Sequence, residues 1–264
     1  MIGFIGLGNM ANAMIGGFLQ SGHASKEEII GSAKTQKTCE KVQEAFGIAT
    51  FTDNKEVASK ADILFLAIKP VFFASVLEEI KDCLKPNVLI VSIAAGKTLA
   101  FIEEGLGNRN HKIIRCMPNT PALVGAGCTA VCVGENVPEE EISKVMELLG
   151  SFGVASKLPE RLMDAFVGVS GSSPAYVFMF IEAMADAAVL AGIPRQDAYT
   201  FAAQAVYGSA KMVLETGMHP AQLKDMVCSP GGTTIEAVKV LEQEGMRSAV
   251  MDAMEACIEK SKCL

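Results

Sequence analysis

Short, unbroken apolar runs alternate with amphipathic stretches through residues 1–158. Ile2–Ile5 reads as a strand and Met10–Gln20 as a helix that stops at Gly22. Glu28–Gly31 is a second short strand, followed by a polar helix around Lys37–Phe46. Ile63–Ile68 and Val88–Ile93 are continuous apolar runs of strand length, and Lys112–Cys116 and Cys128–Val133 follow. A helix over Glu139–Leu149 and a strand at Val154–Ser156 close this part. Strands apolar at every position are covered on both faces, which predicts a mostly parallel, doubly wound α/β sheet. The right-handed crossover rule then makes a Rossmann-like topology the expected one.

From residue 159 to 264 the strand pattern stops. Helical periodicity runs over Pro174–Ala191, Gln196–Glu215, Pro220–Val227, Thr233–Gln243 and Gly245–Lys260, so a second, all-helical domain is expected. Pro174 suits a first helical turn, where its missing N–H has no partner to lose. Between Ala175 and Ala191 the only charges are Glu182 and Asp186. A helix apolar nearly all round requires cover on every side. The remaining helices leave little room for that within one chain, so a homo-oligomer is expected, a compact monomeric bundle being the alternative.

Composition narrows the classes. The chain has 264 residues, half of them hydrophobic, with 23 basic against 30 acidic side chains and a net charge of −7. That is enough apolar material for a full core, which excludes intrinsic disorder. Acidic balance without a basic run argues against nucleic acid as partner. No run reaches the roughly 18–20 uninterrupted apolar residues of a membrane span. The start, Met1-Ile2-Gly3-Phe4-Ile5, resembles a strand rather than a secretion signal. None of the 8 cysteines forms a CxxC pair, and Cys128 and Cys132 share an apolar stretch. Free thiols in a reducing cytoplasm are expected, not disulfides. His23, His111 and His219 are scattered, so no metal site is expected.

The first strand runs directly into Gly6-Leu7-Gly8-Asn9-Met10-Ala11, which opens the first helix. This is the dinucleotide fingerprint with Ala at its last position. Gly6 permits the tight turn, Gly8 lets a pyrophosphate approach the backbone, and Ala11 allows close packing of helix on strand. The helix N-terminus adds amide donors and positive potential. The second strand ends Ile30-Gly31-Ser32-Ala33-Lys34-Thr35, with no acid to hold a ribose 2′-hydroxyl. Hydroxyls and Lys34 suit a 2′-phosphate, so NADP is favoured, with NAD as the other candidate. Ala67-Ile68-Lys69-Pro70 and Ser92-Ile93-Ala94-Ala95-Gly96 end strands at the same edge, where doubly wound folds bind ligands. The small residues of the second stretch suit a wall for a flat nicotinamide.

Two nucleophile candidates fail. Gly168-Val169-Ser170-Gly171-Ser172 lacks the last glycine of a nucleophile elbow and follows no strand, and Cys228 has no histidine close in sequence. Arg115-Cys116-Met117-Pro118-Asn119-Thr120-Pro121 ends a strand, and Ser229-Pro230-Gly231-Gly232-Thr233-Thr234 opens a helix. In the latter, two glycines can turn backbone N–H groups inward ahead of hydroxyls at a helix start, a nest suited to a small carboxylate.

Taken together, the fingerprint, AIKP at 67–70, RCMPNTP at 115–121, SGSSPAY at 170–176 and SPGGTT at 229–234 resemble the pyrroline-5-carboxylate reductase family, end to end. The resemblance implies a Rossmann domain followed by a helical dimerisation domain, with dimers in some cases assembled into decamers. It implies reduction of the small cyclic imino acid 1-pyrroline-5-carboxylate to L-proline with NADPH or NADH. It also implies that Asn54 and Lys69 meet the adenosine-phosphate end of the cofactor and that Ala94 and Ala95 lie beside the nicotinamide. Gly232, Thr233 and Thr234 fall on its substrate site, which Glu160 approaches from the start of the helical domain. Thr234 is the residue expected to bond the ring nitrogen.

Two departures stand out. Ser173 replaces a usual glycine, which would strain a backbone with positive φ there. Met226 stands where some members place an amide. A hydroxy-acid dehydrogenase on the same architecture would need a lysine, for which Lys211 and Lys224 are the only stand-ins. An NADP binder without turnover is the reading of a different class.

Overall fold

In the computed structural model, which describes residues 1–107 and 110–263, the chain forms two compact units. One comprises Met1–Gly171 together with the C-terminal stretch from Cys257, and the other Ser172–Ala256.

The first unit is built on β1 (Ile2–Ile5), α1 (Asn9–Ser21), β2 (Ile29–Ser32), α2 (Gln36–Phe46), β3 (Ala49–Phe51), α3 (Asn54–Lys60), β4 (Ile63–Leu66) and α4 (Phe73–Ile80). It continues with β5 (Leu89–Ser92), α5 (Leu99–Leu106), β6 (Lys112–Met117), β7 (Gly127–Val133), α6 (Glu139–Gly150), β8 (Gly153–Lys157) and the short α7 (Met163–Phe166). The strands make one sheet in the order β3-β2-β1-β4-β5-β6-β7-β8. All neighbours pair parallel except β6 and β7, which are antiparallel. The direction of strand order reverses between β1 and β4, which is where such a sheet opens a crevice.

Burial on both faces follows from the side-chain alternation of the strands. Phe4, Phe65 and Val91 join α1, α2 and α6 in one core, whereas Ile5, Leu64, Leu66 and Ile90 join α3, α4 and α5 in the other. Phe4 and Phe65 stack at 4.8 Å between centroids, with Phe18 tilted against Phe65 at 5.7 Å. Gly3 is required here because a Cβ would stand 2.8 Å from Ala61 Cβ, where α3 meets the sheet.

The second unit contains α8 (Ser173–Leu190), α9 (Arg195–Thr216), α10 (Pro220–Val227), α11 (Thr233–Gln243) and the first part of α12 (Met246–Ser261). Pro174 sits in the first turn of α8, as its chemistry favours. Upstream, Val167–Gly171 is a π-helical turn. The helical run therefore extends over Glu160–Leu190, long and apolar enough by length and composition to cross a membrane. Counting only uninterrupted apolar residues misses it, because its sparse charges break the run. Among the described residues of the unit, Ala185, Ala198 and Ala202 form the closed apolar cluster, lined by Ile181, Met184, Ala188, Val189 and Ile193. Phe178, Met179 and Leu190 are 63%, 69% and 91% exposed.

Candidate active site

Tight turns at the carboxyl edge of the first unit create a cleft. Gly6 adopts φ +94°, and a Cβ there would lie 2.4 Å from the Ala67 carbonyl oxygen. Only glycine meets both conditions. Gly8, by contrast, has nothing within 4 Å of an added Cβ, so its α-carbon faces open space. Gly8 is also the N-cap of α1 and no side chain caps that helix. The first-turn amides of Asn9, Met10 and Ala11 are therefore placed for an external anion. Ala11 is buried in the core, which fits its packing role, whereas Asn9 is exposed.

A cleft of about 780 Å³ lies against this turn, lined from β1, β2 and β4 by Gly6, Leu7, Gly8, Ser32, Lys34, Ala67, Ile68 and Lys69, with Asn54 from α3. Asn54 is held there by two bonds. The Ser32 hydroxyl donates to Asn54 Oδ1 at 2.8 Å, and Asn54 Nδ2 donates to Glu79 Oε2 at 2.9 Å. Lys34 Nζ lies 5.7 Å from the Phe72 ring centroid, within cation–π range. Pro70 begins the turn after β4 and does not itself line the cleft.

Glu79 is a cleft residue that pattern and motif do not single out. Its signal is the helical spacing of Phe72, Ser75, Val76 and Glu79, which all line the same cleft. A carboxylate thus reaches the pocket from α4, although β2 ends without one.

Ala94 and Ala95 lie at the end of β5 and outside the lining of this cleft. Their segment is fixed at both ends. Ser92 Oγ accepts from the Ala94 amide at 3.3 Å, and Glu160 Oε1 accepts from the Leu99 amide at 2.8 Å. The same Glu160 oxygen accepts from Arg115 Nη1 at 3.1 Å, and Arg115 is buried. Glu160 therefore anchors backbone and guanidinium within the first unit. Cys132 lies beside this pair, and burial, followed by the Glu160 charge, pushes its thiol upward. Cys116 is pushed upward by burial first and then by neighbouring Cys132, so neither thiol is a ready nucleophile.

Asn119 of the Pro-Asn-Thr-Pro turn is also structural. It donates through Nδ2 to the carbonyl and hydroxyl of buried Ser170 and accepts from the Cys128 amide at 2.8 Å. Ser170 is thereby occupied in the π turn.

In the second unit Gly231 takes φ +67°, turning the chain into α11. The Gly232 N–H donates to the Ser229 carbonyl at 3.0 Å, so that amide is used within the turn. Gly232, not Thr233, is the N-cap, and it offers no side chain, which leaves Thr233 and Thr234 in the uncapped first turn. Thr234 is half-buried and Thr233 exposed. The strain expected at Ser173 does not arise: among the described residues no side-chain-bearing residue has positive φ, because Ser173 is already helical. Met226 is exposed on α10. Lys211 and Lys224 are spent on surface pairs with Glu215 and Asp225.

Comparison with known proteins places the chain in a family. Residues 160–264 match the pyrroline-5-carboxylate reductase dimerisation model, and residues 1–96 match that of the coenzyme F420-dependent NADP oxidoreductases. A pyrroline-5-carboxylate reductase of Escherichia coli (strain K12) is 54% identical over 263 residues, covering 100% of this chain and 97% of the relative. A solved pyrroline-5-carboxylate reductase of Coxiella burnetii superposes with a TM-score of 0.92 at 35% identity, covering 99% of this chain and 97% of that one. The Plasmodium falciparum enzyme, solved with NADP bound, gives 0.88 at 34% identity over the same shares. By identity along its whole length, this chain belongs to the pyrroline-5-carboxylate reductase family.

Proposed function

We propose that this chain reduces 1-pyrroline-5-carboxylate to L-proline with NADPH or NADH, the final step of proline synthesis, and works as a cytoplasmic homodimer. The observation that carries the reading is the open, uncapped Gly8 turn on a switch-point cleft, in a chain of this family. The pyrophosphate fits the Gly6–Ala11 turn, whose Gly8 leaves room for it. Ser32, Lys34 and Asn54 meet the adenosine ribose and its 2′ substituent. Ala67, Ile68, Lys69 and Pro70 shape the edge beside them. Ala94 and Ala95 form the nicotinamide wall, held in place by Ser92 and by Glu160 through Leu99.

When bound, the reduced nicotinamide supplies a hydride to the carbon of the protonated C=N bond. The protein's part is alignment and charge placement rather than acid–base work. The uncapped start of α11, where Gly232 leads into the first-turn amides of Thr233 and Thr234, receives the substrate carboxylate. Thr234 bonds the ring nitrogen, and since a neutral hydroxyl is a poor acid the proton itself is not assigned to it.

The dimer rests on the exposed apolar face of α8 and α9 and on the family model that covers it. Each large side chain of that face gains about 1.5–3 kcal/mol when buried. A lipid environment for the same helix would place Glu182 and Asp186 in hydrocarbon, at about 2.5–3.5 kcal/mol for a central acid. A partner helix avoids that penalty. The functional division falls at 158/159, where the helical part begins. Free thiols throughout suit a reducing compartment.

The test follows NADPH absorbance with purified protein and 1-pyrroline-5-carboxylate, repeated with NADH. Imine-dependent oxidation is expected with both. No oxidation by protein shown to bind NADPH sinks the assignment and promotes a binder without turnover. Light-scattering mass on the same sample separates monomer, dimer and decamer.

A further inference from the structure

We infer that Glu79 sets the balance between NADPH and NADH, a role that rests on the cofactor reading of the cleft. Ser32 is fully buried and its hydroxyl points at Asn54, which in turn reaches Glu79. The two bonds fix the flip of the Asn54 amide, with its oxygen towards Ser32 and its nitrogen towards the carboxylate. That leaves the second amide hydrogen of Asn54 for a ligand. Among the described residues no ion pair takes up Glu79, Lys34 or Lys69, so the cleft sets the single carboxylate of Glu79 against the ammonium groups of Lys34 and Lys69.

The two signs of charge act oppositely on the two cofactors. Lys34 attracts a 2′-phosphate. Glu79 repels it, while a neutral 2′-hydroxyl finds acceptors at a carboxylate. The acid that NAD-binding folds carry at the end of β2 is thus supplied in this chain from α4, one side chain removed from Ser32. The cleft is built to admit both cofactors and Glu79 restrains the phosphorylated one.

Glu79→Gln removes the charge and keeps an oxygen for the Asn54 bond. Its test is calorimetric titration of the purified full-length protein with adenosine 2′,5′-bisphosphate and with 5′-AMP, ligands that differ only in the 2′-phosphate. E79Q is expected to bind the bisphosphate about three- to tenfold more tightly than wild type, the scale of one charge acting across a solvated cleft. Its 5′-AMP affinity should stay within about twofold, and the gain should shrink in high salt. The kcat/KM ratio of NADPH to NADH should rise in step. An unchanged ratio of the two adenosine affinities in E79Q overturns the role of Glu79 alone. Failure of wild type to bind either ligand overturns the cofactor reading of the cleft as well.

Discussion

The two units bury their apolar residues in different ways. In the first, Phe4, Phe18, Phe65, Phe73 and Phe152 are all fully enclosed. In the second, Phe178, Phe180 and Phe201 are exposed and only three alanines are fully inside. The first unit is a closed fold whose two cores are supplied by its own strands and helices. The second is an incomplete one. Its α8 carries apolar side chains all round, but α9 covers one side only. The same hydrophobic effect therefore yields a self-sufficient first unit and, in the second, the exposed apolar face on which the proposed dimer interface rests.

The largest expected effect comes from breaking that interface. Phe178→Asp removes an apolar contact and places a charge where the partner would bury it. Dimer affinity should fall at least about 100-fold, since the lost burial and the desolvated charge together exceed about 3 kcal/mol. Sedimentation velocity should show monomer, with turnover lost while NADPH binding by the first unit persists. An unchanged dimer mass would place the interface elsewhere and erase the contrast between the units.

The closed unit is better probed at its two glycines. Gly6→Ala forces a Cβ against the Ala67 carbonyl at positive φ, and should lower stability by about 2–4 kcal/mol in chemical denaturation. Gly8→Ala meets no protein atom and should leave stability within about 0.5 kcal/mol. Its methyl group instead enters the space proposed for the pyrophosphate, so NADPH affinity should fall about tenfold or more. Equal melting of both variants would contradict the division between a packed and an open glycine.

Legibility followed the same division. Strands β1, β4 and β5 are plain in the sequence because doubly covered strands are apolar at every position. The helices α8 to α12 are equally plain, with Pro174 and Gly217 punctuating them. β3, only Ala49–Phe51 and partly exposed at the sheet edge, leaves too short a pattern to see. The same is true of α3, seven residues capped by Asp53. The π turn joining Glu160 to α8 is invisible because its Gly-Val-Ser-Gly composition suggests a loop. Of the cleft lining, Gly6, Gly8, Ser32, Lys34 and Lys69 are readable from the fingerprint and strand ends. Glu79 and the Arg115–Glu160 bond are not, since both depend on pairings between elements distant in sequence.

A third change tests whether the second unit contributes chemistry as well as surface. Thr234→Ala should lower kcat/KM for the imine about tenfold or more, as expected for one lost polar contact in the transition state. Dimer mass and NADPH affinity should not move. Unchanged kinetics would remove Thr234 from the site and leave the unit with an assembly role alone.

The smallest effect concerns the edge of the closed unit. Lys85 and the terminal amino group both bond Asp62 at 2.7 Å, joining the start of β1 to the start of β4. Chiefly the Lys85 bond, then the amino group, holds the Asp62 carboxyl down at about 2 from its ordinary 3.8. A depressed carboxylate contributes stability above its unfolded pKa and loses it as pH falls through the folded value. The contribution should therefore be complete above about pH 5 and fade between roughly pH 4 and 2. Asp62 is largely exposed, and solvent screening limits the effect to under about 1 kcal/mol. Asp62→Asn should accordingly melt slightly below wild type at pH 6 and level with it near pH 2. A deficit that persisted at pH 2 would show that Asp62 acts by packing rather than by charge, and that this edge closes as the interior does.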